Sequence, residues 1–397
     1  MQVLWKKEIE DIKDSGYLST KLSITDALIE NFYNEILTDA EKELLHLAFC
    51  ENPSQQDLDN LLKDWDIEVK GSAKSLMLAY FMKRHPELKF TSYEEPRLKG
   101  LLNFYRFHNL KTIAHYTKIG KALNAKGIVP MILKGGAMKY LRQDLPRVMN
   151  DIDILVPEKD FMRSAEIAAP LGYWWEKVDI HSIDLHPNGS EEGALDLHRF
   201  IYMNTGHEKN LLSGLFKRAQ SKTVFGVNTL VPSFEDMMFI TLVNLARNLR
   251  DKTSRAGLLY SLFDCKFLLE NKPDFNWEIV EENARKTKTE VQMNFAMKFI
   301  EKISSDVLPK ELQENKLFEK ETNEYSNMVM YNRFYLEDLR TKCRAMKFGN
   351  LFKNPAGIVD YIFLKPKYAL LKSIRKHPML IELFIKDLKT KKYEFEN

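Results

Sequence analysis

The sequence predicts an α+β protein: a small mixed-sheet core flanked by N- and C-terminal helical regions. Three observations predict it. Apolar residues recur at helical spacing through most of the first 126 residues. From 127 to 200 the texture changes to short apolar or alternating runs, broken by Gly, Pro and Asn. After Pro232 the helical period returns and lasts almost to the end. The implied divisions are a helical region at 1–95, a core at 96–232 and a helical region with a basic tail at 233–397.

The elements follow in order. Residues 24–49 have helical spacing, with Asp39 placed as N-cap before the run that begins at Ala40. Helices are expected at 55–64 and 72–84, and a long one at 97–126. GIVPMIL, 127–133, follows a glycine and reads as a buried strand; a helix fits 136–143. DIDILVP, 151–157, is a strand ended by Pro157, and 158–170 is helical. Alternating runs at 172–178, 181–187 and 194–200 read as strands, and the loop 188–193 joins the last two as a hairpin. Helical runs follow at 234–250, 255–270, 277–302 and 323–346. No solenoid repeat or low-complexity tract interrupts the order.

Bulk properties exclude several classes. Apolar residues make up 44% and charged residues 29% of the 397, as in a soluble globular chain. The three cysteines, Cys50, Cys265 and Cys343, are far apart, which argues against a disulfide framework or cysteine zinc site and fits a reducing, cytoplasmic setting. No run of eighteen apolar residues occurs, so no transmembrane segment is expected, and the N-terminus lacks the apolar run of a secretory signal. The net charge of +3 is uneven: residues 341–397 hold 13 Lys/Arg against 5 Asp/Glu. That tail interleaves basic with aliphatic residues. It suits a helix packed on the body, with peripheral contact to an anionic membrane or to RNA as the alternatives.

The chemistry concentrates in LKGGAMKYLRQDLPRVMNDIDILVP, 133–157. Strand interiors disfavour Asp, and buried charge is costly unless paired or bound to metal. Asp151 and Asp153, two apart on a strand, face one side. Their repulsion is relieved by a divalent cation, and Mg²⁺ favours carboxylate oxygens together with phosphates. Upstream, with fourteen residues between Gly136 and Asp151, Gly135 and Gly136 follow a strand and precede a helix, where the backbone can approach a ligand and present N–H groups to phosphate. Lys134 and Arg147 add positive charge. Each feature alone has a plain reading, a strand-to-helix turn or a solvated strand edge; their order together makes a triphosphate and metal site.

This combination resembles the nucleotidyltransferase superfamily with a polymerase-β-like core, whose signature is Gly-[Gly/Ser] followed by h-[Asp/Glu]-h-[Asp/Glu]-h. More narrowly, Leu133-Lys134-Gly135-Gly136, Arg147 and Leu195-Asp196-Leu197-His198 resemble an uncharacterised bacterial branch with an LKG…R…DIDLLV…[DE]LH pattern. The likeness spans about residues 110–270. It implies that Asp151, Asp153 and a third carboxylate hold Mg²⁺ or Mn²⁺ and are the catalytic residues. Lys134, Gly135, Gly136, Arg147 and His198 would then contact the nucleotide. Asp196 matches the third carboxylate, but the DLH string also occurs at Asp184–His186, so Asp184 stays a competitor. The implied reaction is in-line attack on the α-phosphorus of an NTP, giving a nucleotidylated acceptor and pyrophosphate. The acceptor, whether small molecule, protein or RNA, is not coded by any motif. The alternative is a catalytically weak nucleotide-binding or partner-binding protein on the same fold.

Other residues have two readings each. His181, His186, His198 and His207 cluster, but at no standard zinc spacing. His198 could meet phosphate, orient Asp196 or simply pack. Of Trp174 and Trp175, one should be core and the other could stack on a base. Arg247, Arg250, Lys252 and Arg255 offer a phosphate contact or a solvated helix face. Asp264 matches an Asp that the branch carries on a downstream helix, with a structural or capping role.

Overall fold

Thr38 and Glu41 open the first complete helix, α1 (Asp39–Phe49). The Thr38 hydroxyl accepts from the Glu41 amide, and the Glu41 carboxylate accepts from the Thr38 amide at 2.8 Å. This capping box makes Thr38 the N-cap and corrects the assignment of Asp39, because Thr-x-x-Glu satisfies two orphan donors at once. The computed structural model describes residues 29–303, with breaks at 31–32, 35, 51, 64–72, 143–144, 146, 176–180, 191–193, 202–204, 251–254, 272–274 and 288. The expected helix at 323–346 and the basic tail lie outside the described residues.

Helices α2 (Gln55–Lys63), α3 (Ala73–Arg84) and the long α4 (Glu94–Ala125) follow. The chain then enters β1 (Met131–Ile132), α5 (Lys134–Leu141) and β2 (Ile152–Leu155). Next come α6 (Phe161–Ala168), β3 (Tyr173–Trp174), β4 (Ser182–Pro187) and β5 (Leu195–His198). Helix α7 (Thr205–Arg218) leads to the hairpin β6 (Gln220–Val224) and β7 (Val227–Val231). The last described elements are α8 (Phe234–Arg250), α9 (Arg255–Glu270), α10 (Trp277–Thr287) and α11 (Glu290–Ile303). The fold is mixed α+β, with eleven α-helices and a seven-stranded sheet among the described residues.

The sheet order is β3-β4-β5-β2-β1-β7-β6. Strands β1–β7 and β2–β5 are parallel, and the other neighbours are antiparallel. Every residue of β2 is buried, so it is a central strand covered on both faces. Helix packing at close range depends on two glycines. A Cβ on Gly120 of α4 would fall 2.6 Å from a Val227 methyl of β7, and one on Gly136 of α5 would fall 2.9 Å from Ile132.

Several expected elements change length. The strand at 127–133 shrinks to Met131–Ile132, since Gly127 turns with φ +75 and Pro130 has no N–H to donate. In place of the single helix expected at 277–302 stand two, Trp277–Thr287 and Glu290–Ile303. There Thr287 Oγ1 donates back to the Asn283 carbonyl at 2.8 Å and meets Thr289 Oγ1 at 2.9 Å, a side-chain competition that ends α10. Helix α7 and the β6–β7 hairpin add elements that the sequence reading did not separate.

Candidate active site

The site begins where β1 turns into α5. Leu133 is extended, and its amide donates to the Asp153 carbonyl at 2.9 Å. Lys134 then takes a left-handed backbone, φ 44, unusual for a residue with a side chain. Its ammonium pairs with Asp153 Oδ1. Gly135 and Gly136 follow inside the first turn of α5, both buried. Gly136 allows α5 to lie on Ile132 and Ile152, and Gly135 leaves room for the Arg147 side chain, whose Nε is 3.0 Å from where a Cβ would be.

Across the sheet, register brings the acids together. The parallel pairing of β2 with β5 sets Asp153 opposite Asp196, and the antiparallel pairing of β4 with β5 sets Asp184 opposite Asp196. The three therefore form a row on one face, from Asp153 through Asp196 to Asp184. Asp151 lies just before β2 with part of the residue open to solvent, whereas Asp153 is buried. His198, two residues beyond Asp196 and fully buried, reaches both neighbours: its Nε2 is 3.0 Å from Asp153 Oδ1 and 2.8 Å from Asp196 Oδ2. Its Nδ1 lies 3.1 Å from the Phe200 carbonyl. Asp153, Asp196 and His198 offer ligand atoms within 4.8 Å of one another, and Asp196 Oδ1 is buried with no hydrogen-bond partner.

The electrostatics are those of crowded carboxylates. Asp151 is pushed up to about 7, first by loss of water around its carboxyl and then by the charge of Asp153, with Lys134 opposing. Burial also acts to raise Asp153, but Lys134 and the His198 hydrogen bond hold it well below the ordinary range. Asp196 is lowered because His198 outweighs its burial. Burial acts against a charge on His198, yet Asp196 and Asp153 raise it to about 9. The cluster thus sets three acids against Lys134 and His198.

Arg147 lies beside this cluster rather than within it. Its Nη1 is 3.4 Å from Asp264 Oδ2, and its guanidinium lies over the Tyr260 ring, 4.7 Å from the centroid. Burial raises the Asp264 carboxyl, with Arg147 opposing. Segment 147–149 is pinned by α4: Asn109 Nδ2 donates to the Arg147 carbonyl at 2.6 Å, its Oδ1 accepts from the Met149 amide at 2.9 Å, and Thr112 Oγ1 donates to the Met149 carbonyl at 2.9 Å. Neither Asn109 nor Thr112 was singled out by the sequence; both interrupt the buried stripe of α4, the one signal that could have found them. Trp174 is partly exposed and stacks on His186 at 4.9 Å, and Trp175 packs against the core. The side chains of Arg247, Arg250, Lys252 and Arg255 lie outside the described residues.

The mixed sheet carries an acidic row beside the Gly-Gly turn of α5. The model of a family described as "Uncharacterised nucleotidyltransferase" matches residues 75–304, more than half of the chain, and the chain belongs to that family. Two solved structures are similar. One is the antibiotic-resistance factor ANT(2'')-Ia, at 12% identity over 49% of this chain and 91% of that one, with a TM-score of 0.26. The other is an antigenic nucleotidyltransferase-like protein from Paracoccidioides brasiliensis, at 12% identity over 45% of this chain and 93% of that one, with a TM-score of 0.28. Likeness at this level carries no weight for substrate. No curated protein matches the chain significantly. No helix among the described residues is long and apolar enough to cross a membrane.

Proposed function

We propose that the protein moves a nucleoside monophosphate from an NTP onto a hydroxyl-bearing acceptor and releases pyrophosphate, with Mg²⁺ or Mn²⁺ at Asp151, Asp153 and Asp196. The observation that carries this reading is the in-register pair Asp153–Asp196 beside the N-terminal turn of α5. The donor set suits a hard cation: carboxylate oxygens in a row, with Asp196 Oδ1 buried and unpartnered. Asp196 is favoured over Asp184 as third carboxylate because it adjoins Asp153, with Asp184 one strand further out. When bound, the cation neutralises phosphate oxygens and lowers the pKa of the attacking hydroxyl.

The chain's own groups do the rest. Lys134 and the amides of the first turn of α5 favour the polyphosphate. Gly135 and Gly136 set the position of that turn by letting it pack closely, Gly135 on Arg147 and Gly136 on Ile132 and Ile152. Asp196 stands ready to take the proton of the acceptor hydroxyl, and His198 fixes its orientation through the 2.8 Å contact. Use of NTP is compatible with a cytoplasmic protein.

The test is transfer of label from α-³²P-NTP, each of four, with Mg²⁺ or Mn²⁺ in host lysate. Label moved by wild type and not by Asp151→Asn/Asp153→Asn supports the reading. Metal-dependent NTP binding with no transfer under any condition favours the binding-protein alternative.

A further inference from the structure

Asp264 of α9 is a buried carboxylate far from the acidic row in sequence, and the reaction described above gives it no part. It meets Arg147 at 3.4 Å, yet Asp264 Oδ1 and Arg147 Nε are both buried with no hydrogen-bond partner. Buried polar groups are rarely left so. One helical turn earlier, the Tyr260 ring lies under the guanidinium, and the Tyr260 hydroxyl is hydrogen-bonded to the backbone of Val148. Helix α9 therefore grips residues 147–148 from one side, as Asn109 and Thr112 of α4 grip 147–149 from the other. The segment so held ends two residues before Asp151. The side chain so held fills the space that Gly135 leaves empty.

We propose that Asp264 is a positioning residue for the nucleotide: through Arg147 it fixes positive charge against the Gly135 turn, where a polyphosphate arrives. This rests on the nucleotidyl-transfer reading and assigns the helical region after the core a share in NTP affinity. Asp264 touches no reacting atom. Its carboxylate gives Arg147 one fixed partner, and the face of Tyr260 restricts the guanidinium plane. Arg147 Nε, buried against the Gly135 backbone and without a partner of its own, keeps the guanidinium charge at that turn. The direction follows from this geometry: loosening Arg147 weakens NTP binding and leaves the carboxylates that drive the chemical step in place.

The test measures binding of each NTP with Mn²⁺, without acceptor, to full-length wild type, Asp264→Asn, Arg147→Met and the double variant, with KM and kcat where transfer is detected. Asp264→Asn keeps shape and removes charge. The expected result is a loss of affinity of about tenfold, the scale of one charge-assisted hydrogen bond. KM rises to match, kcat changes little, and the double variant binds no worse than Arg147→Met alone. A merely structural Asp264 would lower the melting temperature yet give the same loss in the Arg147→Met background, which overturns the proposal. Unchanged affinity in Asp264→Asn overturns it too. If Asp264→Asn does not fold, Arg147→Lys, which keeps charge but lacks Nε, carries the test: retained affinity sinks the proposal, and a tenfold loss with kcat kept supports it. Failure of wild type to bind any NTP is a different result and counts against the nucleotidyl-transfer reading itself.

Discussion

Two acidic centres in this molecule are built on opposite plans. Around Asp236 of α8, every carboxylate lone pair is used. Oδ1 accepts from Arg218 at 2.5 Å and Asn283 at 2.9 Å, and Oδ2 accepts from Arg218 at 2.9 Å and Ser233 at 2.8 Å. Those partners come from α7, α10 and the start of α8, so the centre ties three helices together. In the sheet the account is reversed. Asp151, Asp153 and Asp196 share Lys134 and His198, one carboxyl is pushed up to about 7, and an oxygen is left without a partner. Complete satisfaction marks a centre that holds the fold. Surplus like charge at a defined register marks one that waits for a cation.

The comparison predicts opposite outcomes for the same kind of mutation. The largest effect on stability belongs to Asp236→Ala, which strands the Arg218 guanidinium and lowers stability by about 3–5 kcal/mol, measured by denaturant or thermal melts. Asp151→Asn does the reverse. Its folded pKa is raised from 3.8 to about 7, so a charge there costs stability as pH rises through that window. At pH 7.5 the amide variant melts at or above the wild-type temperature, while transfer falls by at least ~10²-fold. A smaller effect follows from the cation: Mn²⁺ raises the melting temperature of wild type and leaves Asp151→Asn/Asp153→Asn where it was.

The smallest effects test a third acid, Glu41, whose charge is held by its helix cap and by Lys74. Burial acts to raise it, but the Thr38 amide and hydroxyl and Lys74, 3.2 Å away, outweigh that and lower it. Its contribution is full above the ordinary carboxylate range and is lost as pH falls through the folded value. The gap in melting temperature between wild type and Glu41→Gln therefore narrows on acidification. Thr38→Ala, which removes the cap that Glu41 answers, costs about 1 kcal/mol.

What the sequence revealed follows from the range of each interaction. Helices α8 and α9 match their expected limits at 234–250 and 255–270, since amphipathic period is local. The hairpin β4–β5 was legible from alternation about the loop 188–193. The β6–β7 hairpin was not. Its turn is Phe225-Gly226, both at positive φ (50° and 78°), where Asn-Gly would have been the visible signal, and four of the five β6 residues are exposed. Within the site, the Gly-Gly turn and Asp-x-Asp string could be read, because the string is short. The register that puts Asp196 beside Asp153 could not, because strand partners are chosen by the whole sheet. Nor could the attachment of Lys134 to Asp153, or the grip of α4 and α9 on residues 147–149, which join positions far apart in the chain.

The most direct measurement is calorimetric titration of a non-hydrolysable NTP analogue into wild type and Asp151→Asn, with and without Mn²⁺. The account predicts nucleotide binding by wild type that requires the cation, and its loss in a variant that melts no lower. Equal binding by the two proteins, or binding indifferent to Mn²⁺, would contradict the claim that the acidic row is a site for ligand rather than a support for the fold.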